Sequence, residues 1–212
     1  MKKKAFTLAE VLITLGIIGV VAALTIPTLV QRNTNEGNVV TLKKIYGTLD
    51  SAFEQFEVEN NVAYPGEGGL LTPANCDEFI KEFFKVSVDC GTQKGKPCFA
   101  DTYKNINGTT VGVNSILDSS GYSVMLSDGT AISIGGWDPY YITVDTNGPK
   151  GPNIIGRDLF SIFWDGMPLD PAYYYGSATP DRNLVLNQCK SNTSQAYGCL
   201  KLIQLDGWKM DY

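Results

Sequence analysis

The 212-residue chain contains no histidine. Histidine is the side chain that most often serves as a general base or as a metal ligand near neutral pH, so its absence excludes a Ser-His or Cys-His nucleophile. The five cysteines form no Cys-X-X-Cys pair, which argues against a zinc site. We therefore expect a protein without catalytic activity of its own.

Positive charge is also scarce, because 17 Lys and Arg residues stand against 22 Asp and Glu residues, for a net charge of −5. Sequence-independent binding of nucleic acid requires clustered Lys and Arg. The acidic balance therefore argues against nucleic acid as a partner. The length suffices for a membrane anchor followed by one globular domain with its own core.

A long apolar run occupies the N-terminal region. Residues 6–30 carry a single charge, that of Glu10, and follow the three lysines of residues 2–4. About 20 apolar residues at ~1.5 Å each cross the hydrocarbon core of a bilayer, and the lysines favour a cytoplasmic location for the N-terminal end. A carboxylate at membrane depth costs at least ~2.5 kcal/mol, so Glu10 is expected to have a partner or a function.

The residues around Glu10 form a motif, A-F-T-L-A-E at positions 5–10. This motif resembles the N-terminus of type IV pilins and type II secretion pseudopilins. The resemblance implies a leader peptide of residues 1–5, cleavage between Ala5 and Phe6, and N-methylation of Phe6. Ala5 stands where glycine is usual in the family, and Pro27 falls where many members carry a helix-bending proline. Removal of the leader would lower the net charge to −8.

Cleavage would create an ammonium group on Phe6. The Glu10 carboxylate of one subunit would then pair with the Phe6 ammonium of a neighbour, which offsets part of the desolvation cost of both charges. The resemblance therefore implies a structural subunit of a type II secretion pseudopilus or a type IV pilus. Its partners would be copies of itself or related pilins, a prepilin peptidase and an inner-membrane assembly platform. The subunit would span the inner membrane once, with its C-terminal domain outside the cytoplasm, before it enters a filament.

The alternative is an ordinary secretory signal peptide with a cleavage site after the small residues 21–23. The mature protein would then be an exported or membrane-tethered enzyme or binding protein. Glu10 inside the apolar segment argues against this interpretation, as does the continuation of the apolar run through Val30.

Apolar residues recur at spacings of three and four beyond the membrane segment, at Val39, Leu42, Tyr46, Leu49, Phe53 and Phe56. This pattern predicts an amphipathic helix that ends near residue 60. We expect one long helix over residues 6–60, bent near Pro27 because proline lacks an N–H group and crowds the preceding turn. The chain would then comprise a leader (1–5), a transmembrane and filament-core helix (6–30), an amphipathic half (31–60) and a globular domain (61–212).

Strand patterns follow in the second half of the chain. Residues 122–127 and 130–134 flank Asp128-Gly129, a strong hairpin signal, and residues 140–144 and 158–164 add two further strands. A small antiparallel sheet covered by the long helix is an α+β fold. The resemblance implies the same architecture, a pilin-like fold with disulfide-closed loops.

Two shorter segments also carry helix signals. Thr72 before Pro73 is typical of an N-cap followed by proline in the first helical position, and the helix would end before Cys90. Residues 101–117 are rich in Asn, Gly and Thr and are expected to form loops with a little strand. Residues 195–205 predict a short helix or strand.

All five cysteines lie beyond residue 75, and export would favour disulfides. The close pairs are Cys90 with Cys98 and Cys189 with Cys199. Cys76 is either a buried free thiol or a replacement for Cys90 as the partner of Cys98, because sequence does not fix connectivity. Pilins often close a C-terminal loop with a disulfide, so the resemblance favours the second pair.

The segment between the last two strands offers oxygen ligands in Asp145, Asn147, Asn153 and Asp158. Calcium takes six to eight such oxygens, and the segment resembles the calcium-bearing loop of major pseudopilins. The alternative is a rigid loop whose side chains cap their own backbone. Calcium, with Asp145 and Asp158 as the carboxylates, would favour a pseudopilin over a pilus subunit.

Overall fold

The computed structural model describes residues 7–70, 72–136, 140–164, 181–191 and 198–212. The chain divides into two compact units, Met1–Gly37 and Asn38–Tyr212. The helices are α1 (Leu8–Asn60), α2 (Pro73–Phe83), α3 (Arg182–Cys189) and α4 (Cys199–Leu205). The strands are β1 (Val86–Gly91), β2 (Thr102–Lys104), β3 (Thr110–Gly112), β4 (Tyr122–Leu126), β5 (Ala131–Gly136), β6 (Tyr140–Asp145) and β7 (Leu159–Trp164). The predicted α+β class is confirmed.

From Asn38 onward, α1 supplies one layer of the core. Its buried apolar side chains recur at the predicted helical spacing: Val39, Leu42, Ile45, Leu49, Ala52 and Phe53. Tyr46 and Phe56, predicted on the same face, pack at its edge. The Phe53 ring stacks on Trp164 of β7 at 4.8 Å between centroids and on Phe79 of α2 at 5.1 Å. These stacked rings hold α1 and α2 on the sheet.

The main sheet has five antiparallel strands in the order β1-β4-β5-β6-β7. The four predicted strands are present, with ends that differ by one or two residues from the prediction. The edge strand β1 was not predicted, because we expected the preceding helix to continue to Cys90. That helix ends at Phe83, and Phe84 already has extended backbone. Thr72 and Pro73 occupy the predicted capping positions.

Strands β5, β6 and β7 are buried on both faces, whereas the sequence indicated cover from the helix on one face. The edge strand β1 is only half-buried. Small hydroxyl side chains form a row directly across four strands of the second face: Ser123, Ser133, Thr143 and Ser161. All four are less than 6% exposed. Gly121 lies against Ser133, since a Cβ on Gly121 would come within 2.9 Å of the serine hydroxyl. Tyr103 reaches the same face at Asp145.

Both close cysteine pairs form disulfides. Cys90 is joined to Cys98 and Cys189 is joined to Cys199. Cys76 is a buried free thiol whose Sγ donates to the Leu70 carbonyl at 2.9 Å, and burial raises its pKa to about 12. A thiol that stays protonated is unreactive, which indicates a packing role. The second disulfide joins α3, which was not predicted, to α4, which lies within the predicted C-terminal element.

Replacement of Phe53 tests the aromatic stack. We expect Phe53→Ala to lower the free energy of unfolding by ~3–5 kcal/mol, because the fully buried ring stacks on Trp164 and Phe79 and its removal leaves a cavity between them. Denaturant unfolding of the detergent-solubilised chain, followed by tryptophan fluorescence, measures the change. Val58→Ala is the matched control, since Val58 is 79% exposed on the same helix. Equal losses in the two variants would contradict the packing described.

Candidate functional site

Helix α1 begins with a capping box formed by Thr7 and Glu10. The Thr7 N–H and the Thr7 hydroxyl both donate to Oε2 of Glu10 at 2.8 Å, and the Glu10 N–H donates to the Thr7 hydroxyl at 3.2 Å. These bonds satisfy donors that have no partner within the helix, and the carboxylate lies where the helix dipole favours negative charge. We had not assigned this contact, although the T-x-x-E spacing at positions 7–10 is its sequence signal.

The first half of α1 presents an almost wholly apolar surface. The hydroxyls of Thr14, Thr25 and Thr28 donate to main-chain carbonyls three or four residues earlier, which satisfies them within the helix. The segment is long and apolar enough to cross a membrane. Its exposed large side chains are Leu8, Val11, Leu12, Ile13, Leu15, Ile17, Ile18, Val20, Val21, Leu24, Ile26, Leu29 and Val30.

The predicted processing and assembly residues have different outcomes. Glu10 lies in the first turn of α1, and Pro27 lies within the helix, which continues through it. Ala5 and Phe6 lie outside the described residues. Cleavage between them, the pairing of Glu10 with Phe6 and the bend at Pro27 therefore stay predictions.

A second candidate region is the loop between β6 and β7, which we call the 146–158 loop. Asp145 pairs with Leu159 in the β6–β7 ladder, so Asp145 and Asp158 both lie at the base of the loop. Both aspartates are fully buried. The Tyr103 hydroxyl donates to Oδ2 of Asp145 at 2.5 Å, and the Asn147 N–H donates to its Oδ1 at 3.2 Å. Tyr103 reaches this carboxylate from β2, a contact that the sequence did not indicate.

The Asp158 carboxylate holds the other end of the loop by accepting hydrogen bonds from main-chain N–H groups. Its Oδ2 accepts from the Asn153 N–H at 2.7 Å, and its Oδ1 accepts from the Ile154 N–H at 2.6 Å. Asn153 has a φ of +56°, a left-handed conformation that asparagine tolerates better than most residues. The carboxylate therefore fixes a turn. Such contacts are those expected of the alternative given for this segment, a rigid loop whose side chains cap their own backbone.

Burial disfavours the ionised form of both carboxylates. Burial raises the pKa of Asp145 well above its ordinary value, and the neighbouring charge of Asp158 raises it further. Burial also raises the pKa of Asp158 to about 6, against the opposing effect of its N–H donors. Two coupled acids in one apolar setting repel each other when both are ionised. A cation between them would relieve that repulsion.

The loop residues fit a hard cation through their amide oxygens. The Oδ1 atoms of Asn147 and Asn153 are buried and have no hydrogen-bond partner among the described residues. Such an orphaned acceptor loses the hydrogen bonds that water would give it. Asn147, Asn153, Asp145 and Asp158 would supply side-chain oxygens, and loop carbonyls or water would complete the six or more that calcium requires. Within the described residues no group of three or more Cys, Asp or Glu side chains comes together as a metal site.

Asn105 is a further polar side chain near this loop. It is 2% exposed, and neither its Oδ1 nor its Nδ2 has a partner in the described part of the chain. It follows Lys104, whose N–H donates to the Asn153 carbonyl at 2.8 Å. Residues 101–117 were expected to form loops with a little strand, and strands β2 and β3 lie there. No local sequence pattern distinguishes Asn105, because its burial depends on tertiary packing.

The raised pKa of Asp158 predicts a pH dependence of stability in metal-free buffer. A carboxyl with a higher pKa in the folded state binds its proton more readily when folded, so stability decreases as pH rises between about 4 and 6. Going from pH 7.5 to pH 5.0 should therefore raise the free energy of unfolding by ~1–2 kcal/mol, or the melting temperature by about 3–6 °C. Thermal melts in EDTA measure this change.

Two variants identify the group responsible. Asp158→Asn should reduce the slope between pH 5.0 and 7.5 without abolishing it, because burial also raises the pKa of Asp145, which contributes in the same direction. Asp206→Asn should leave it unchanged, because hydrogen bonding to Arg182 lowers the Asp206 pKa and moves its titration below this range. A wild-type melting temperature that falls from pH 7.5 to 5.0, or an undiminished slope in Asp158→Asn, would contradict the assignment.

Comparisons with known proteins bear on the N-terminal region. Searches of curated proteins and of solved structures gave no match. A family model described as the prokaryotic N-terminal methylation motif matches residues 1–26. That range contains Ala5, Phe6, the Thr7–Glu10 capping box and most of the exposed apolar segment. The chain therefore carries at its N-terminus the prokaryotic N-terminal methylation motif, the signature of type IV pilins and pseudopilins.

Proposed function

We propose that the protein is a structural subunit of a type II secretion pseudopilus or a type IV pilus. A prepilin peptidase cuts between Ala5 and Phe6 and methylates the new N-terminus, and an inner-membrane platform adds the mature subunit to a filament. The observation that carries the proposal is the methylation motif at residues 1–26 with Glu10 in the first turn of an apolar helix. The role is structural, and the processing chemistry belongs to the peptidase.

Assembly gives Glu10 a second partner. In the single subunit its carboxylate accepts from the N–H and the hydroxyl of Thr7. In the filament the carboxylate also meets the Phe6 ammonium of a neighbouring subunit, and a charged donor forms a stronger hydrogen bond than a neutral one. Lipid gives apolar helices little reason to associate, so this directional contact selects the register of addition. The exposed apolar side chains up to Val30 then exchange lipid for neighbouring helices.

The 146–158 loop favours a pseudopilin within this family. We propose that Asp145, Asn147, Asn153 and Asp158 hold calcium there. The two buried amide oxygens of Asn147 and Asn153, which have no partner among the described residues, support this proposal. Bound calcium would supply positive charge between two buried carboxylates. The residues of this chain would orient its oxygen ligands through the Tyr103 and backbone N–H contacts.

Substitution of Glu10 tests the assembly role. Glu10→Leu should insert into the inner membrane at the wild-type level yet give no filaments, because the partner for the Phe6 ammonium is lost. Thr7→Ala is the matched control, since it costs about 1 kcal/mol of helix-end stability but keeps the carboxylate, and it should still give filaments. Filament yield after shearing is the measurement. Equal yields for Glu10→Leu and the wild type would contradict the role.

Mass spectrometry of the mature N-terminus distinguishes the alternatives in the same preparations. Methylated Phe6 supports the filament subunit. Leu24 as the first residue would instead indicate an ordinary signal peptide, and with it an exported enzyme or binding protein.

Calcium binding should be visible as a shift in melting temperature. At pH 7.5 we expect added calcium to raise the melting temperature and EDTA to lower it, because the ion stabilises only the folded loop. Asp158→Asn should abolish the shift. Asp128→Asn makes the same charge change in the β4–β5 hairpin, where Asp128 pairs with Lys44, and should keep the shift. A wild-type melt that is indifferent to calcium would remove the metal from the proposal.

A further inference from the structure

The backbone of the 146–158 loop rests directly on the sulfur atoms of the second disulfide. Gly156 has a φ of +84°, and a Cβ added there would lie 2.5 Å from Sγ of Cys199 and 3.5 Å from Sγ of Cys189. A distance below 3 Å is shorter than any normal contact of a side-chain carbon. Only glycine therefore lets the loop approach the disulfide this closely.

The C-terminal segment also contacts the same part of the loop. The Tyr212 hydroxyl donates to the Gly156 carbonyl at 2.6 Å. The Arg157 guanidinium lies over the Tyr212 ring, 5.0 Å from its centroid, and also donates to the Tyr212 main-chain oxygen. Because α4 carries Cys199 and leads to Tyr212, the disulfide and the tyrosine belong to one continuous segment.

Two further elements fix the residues between Asn153 and Asp158. The Asn38 side chain, at the start of the second unit, donates from Nδ2 to the Arg157 carbonyl at 3.0 Å. The Lys104 N–H donates to the Asn153 carbonyl, and the Ile155 N–H donates to the Lys104 carbonyl, both at 2.8 Å. The disulfide thus lies against a turn that is also held by hydrogen bonds, by the Arg157–Tyr212 contact and by the buried side chain of Ile155.

We propose that the Cys189–Cys199 disulfide is the positioning element of the 146–158 loop, and that the turn at residues 153–158 closes only when this disulfide is present. The closed turn is the one in which Asp158 accepts from the Asn153 and Ile154 N–H groups and in which the amide oxygens are buried. Without the bond, α3 and α4 are no longer tied at this point, and the surface that Gly156 contacts is lost. The loop then opens while the sheet beneath it remains.

The other disulfide has a different relation to the loop. The carbonyl oxygen of Cys98 lies 3.6 Å from the position of a Cβ on Gly148, whereas the sulfur atoms nearest to the Cβ position of Gly156 are those of Cys199 and Cys189. Loss of the Cys90–Cys98 bond should therefore leave the turn at 153–158 closed. The two disulfides provide a matched pair within one chain.

The inference depends on the proposed function only in what it says about calcium. If the loop holds calcium, the ion site would be complete only after the C-terminal disulfide forms. A subunit with free thiols at positions 189 and 199 would then bind calcium weakly.

Hydrogen exchange on the full-length chain in detergent and EDTA tests the coupling without metal. In a Cys189→Ser/Cys199→Ser variant the Asn153 and Ile154 amides should exchange roughly tenfold or more faster relative to the β5–β6 ladder amides. In a Cys90→Ser/Cys98→Ser variant that ratio should stay at its wild-type value. An unchanged ratio in the first variant, or the same change in both, would overturn the proposal.

Glycine variants test the contact between the loop and the disulfide while both disulfides remain intact. Gly156→Ala should open the turn and raise the same ratio, because the new methyl group collides with Cys199. Gly108→Ala is the control, since Gly108 also has a positive φ, of +90°, but has open space around its Cβ position. An unchanged ratio in Gly156→Ala would overturn the proposal even if the first cysteine variant does not fold. Because N-terminal processing is read separately by mass spectrometry, failure here is distinguishable from failure of the filament function.

Discussion

A carboxylate within an apolar helix must be satisfied by a partner, and that constraint governs the apolar segment at residues 6–30. Glu10 is the single charge between Phe6 and Val30, and its carboxylate accepts two hydrogen bonds from Thr7. Under the proposed function, this local partner would let the subunit remain in the membrane. It does not neutralise the charge, so the ammonium group of a neighbouring subunit would offer a larger gain. The same residue would thus serve both the single subunit and the assembled one.

The second unit, Asn38–Tyr212, buries several polar side chains within its core. Aromatic stacking around Phe53 holds the helix layer on the sheet, and strands β5 to β7 are buried on both faces. Some buried hydroxyls pair with one another, as Ser123 does with Ser133 at 3.0 Å. Asp145 and Asp158 carry the highest cost of burial, because an ionised carboxylate is harder to bury than a neutral polar group. Their N–H and hydroxyl donors compensate only part of this cost, so the pKa of each aspartate stays raised.

Much of this architecture follows from local sequence patterns. The apolar run, the spacing of buried residues after Asn38 and the Asp128-Gly129 turn each predicted an element that is present. Strand β1 was missed because its short Val86 and Val88 alternation follows directly on a helical pattern. The contact of Gly156 with Cys199 joins residues more than forty positions apart, and the burial of Asn105 depends on what packs over it. Neither has a signature in local spacing.

The pairing of Glu10 with a neighbour's Phe6 is the central claim, and zero-length crosslinking tests it most directly. Filaments assembled from a mixture of ¹⁵N-labelled and unlabelled subunits would be treated with a carbodiimide, which condenses an amine and a carboxylate in contact with loss of water. We expect an amide between the N-terminal nitrogen of Phe6 and the Glu10 side chain that joins labelled to unlabelled peptides. Filaments that yield no such amide, or only amides within single chains, would contradict the account.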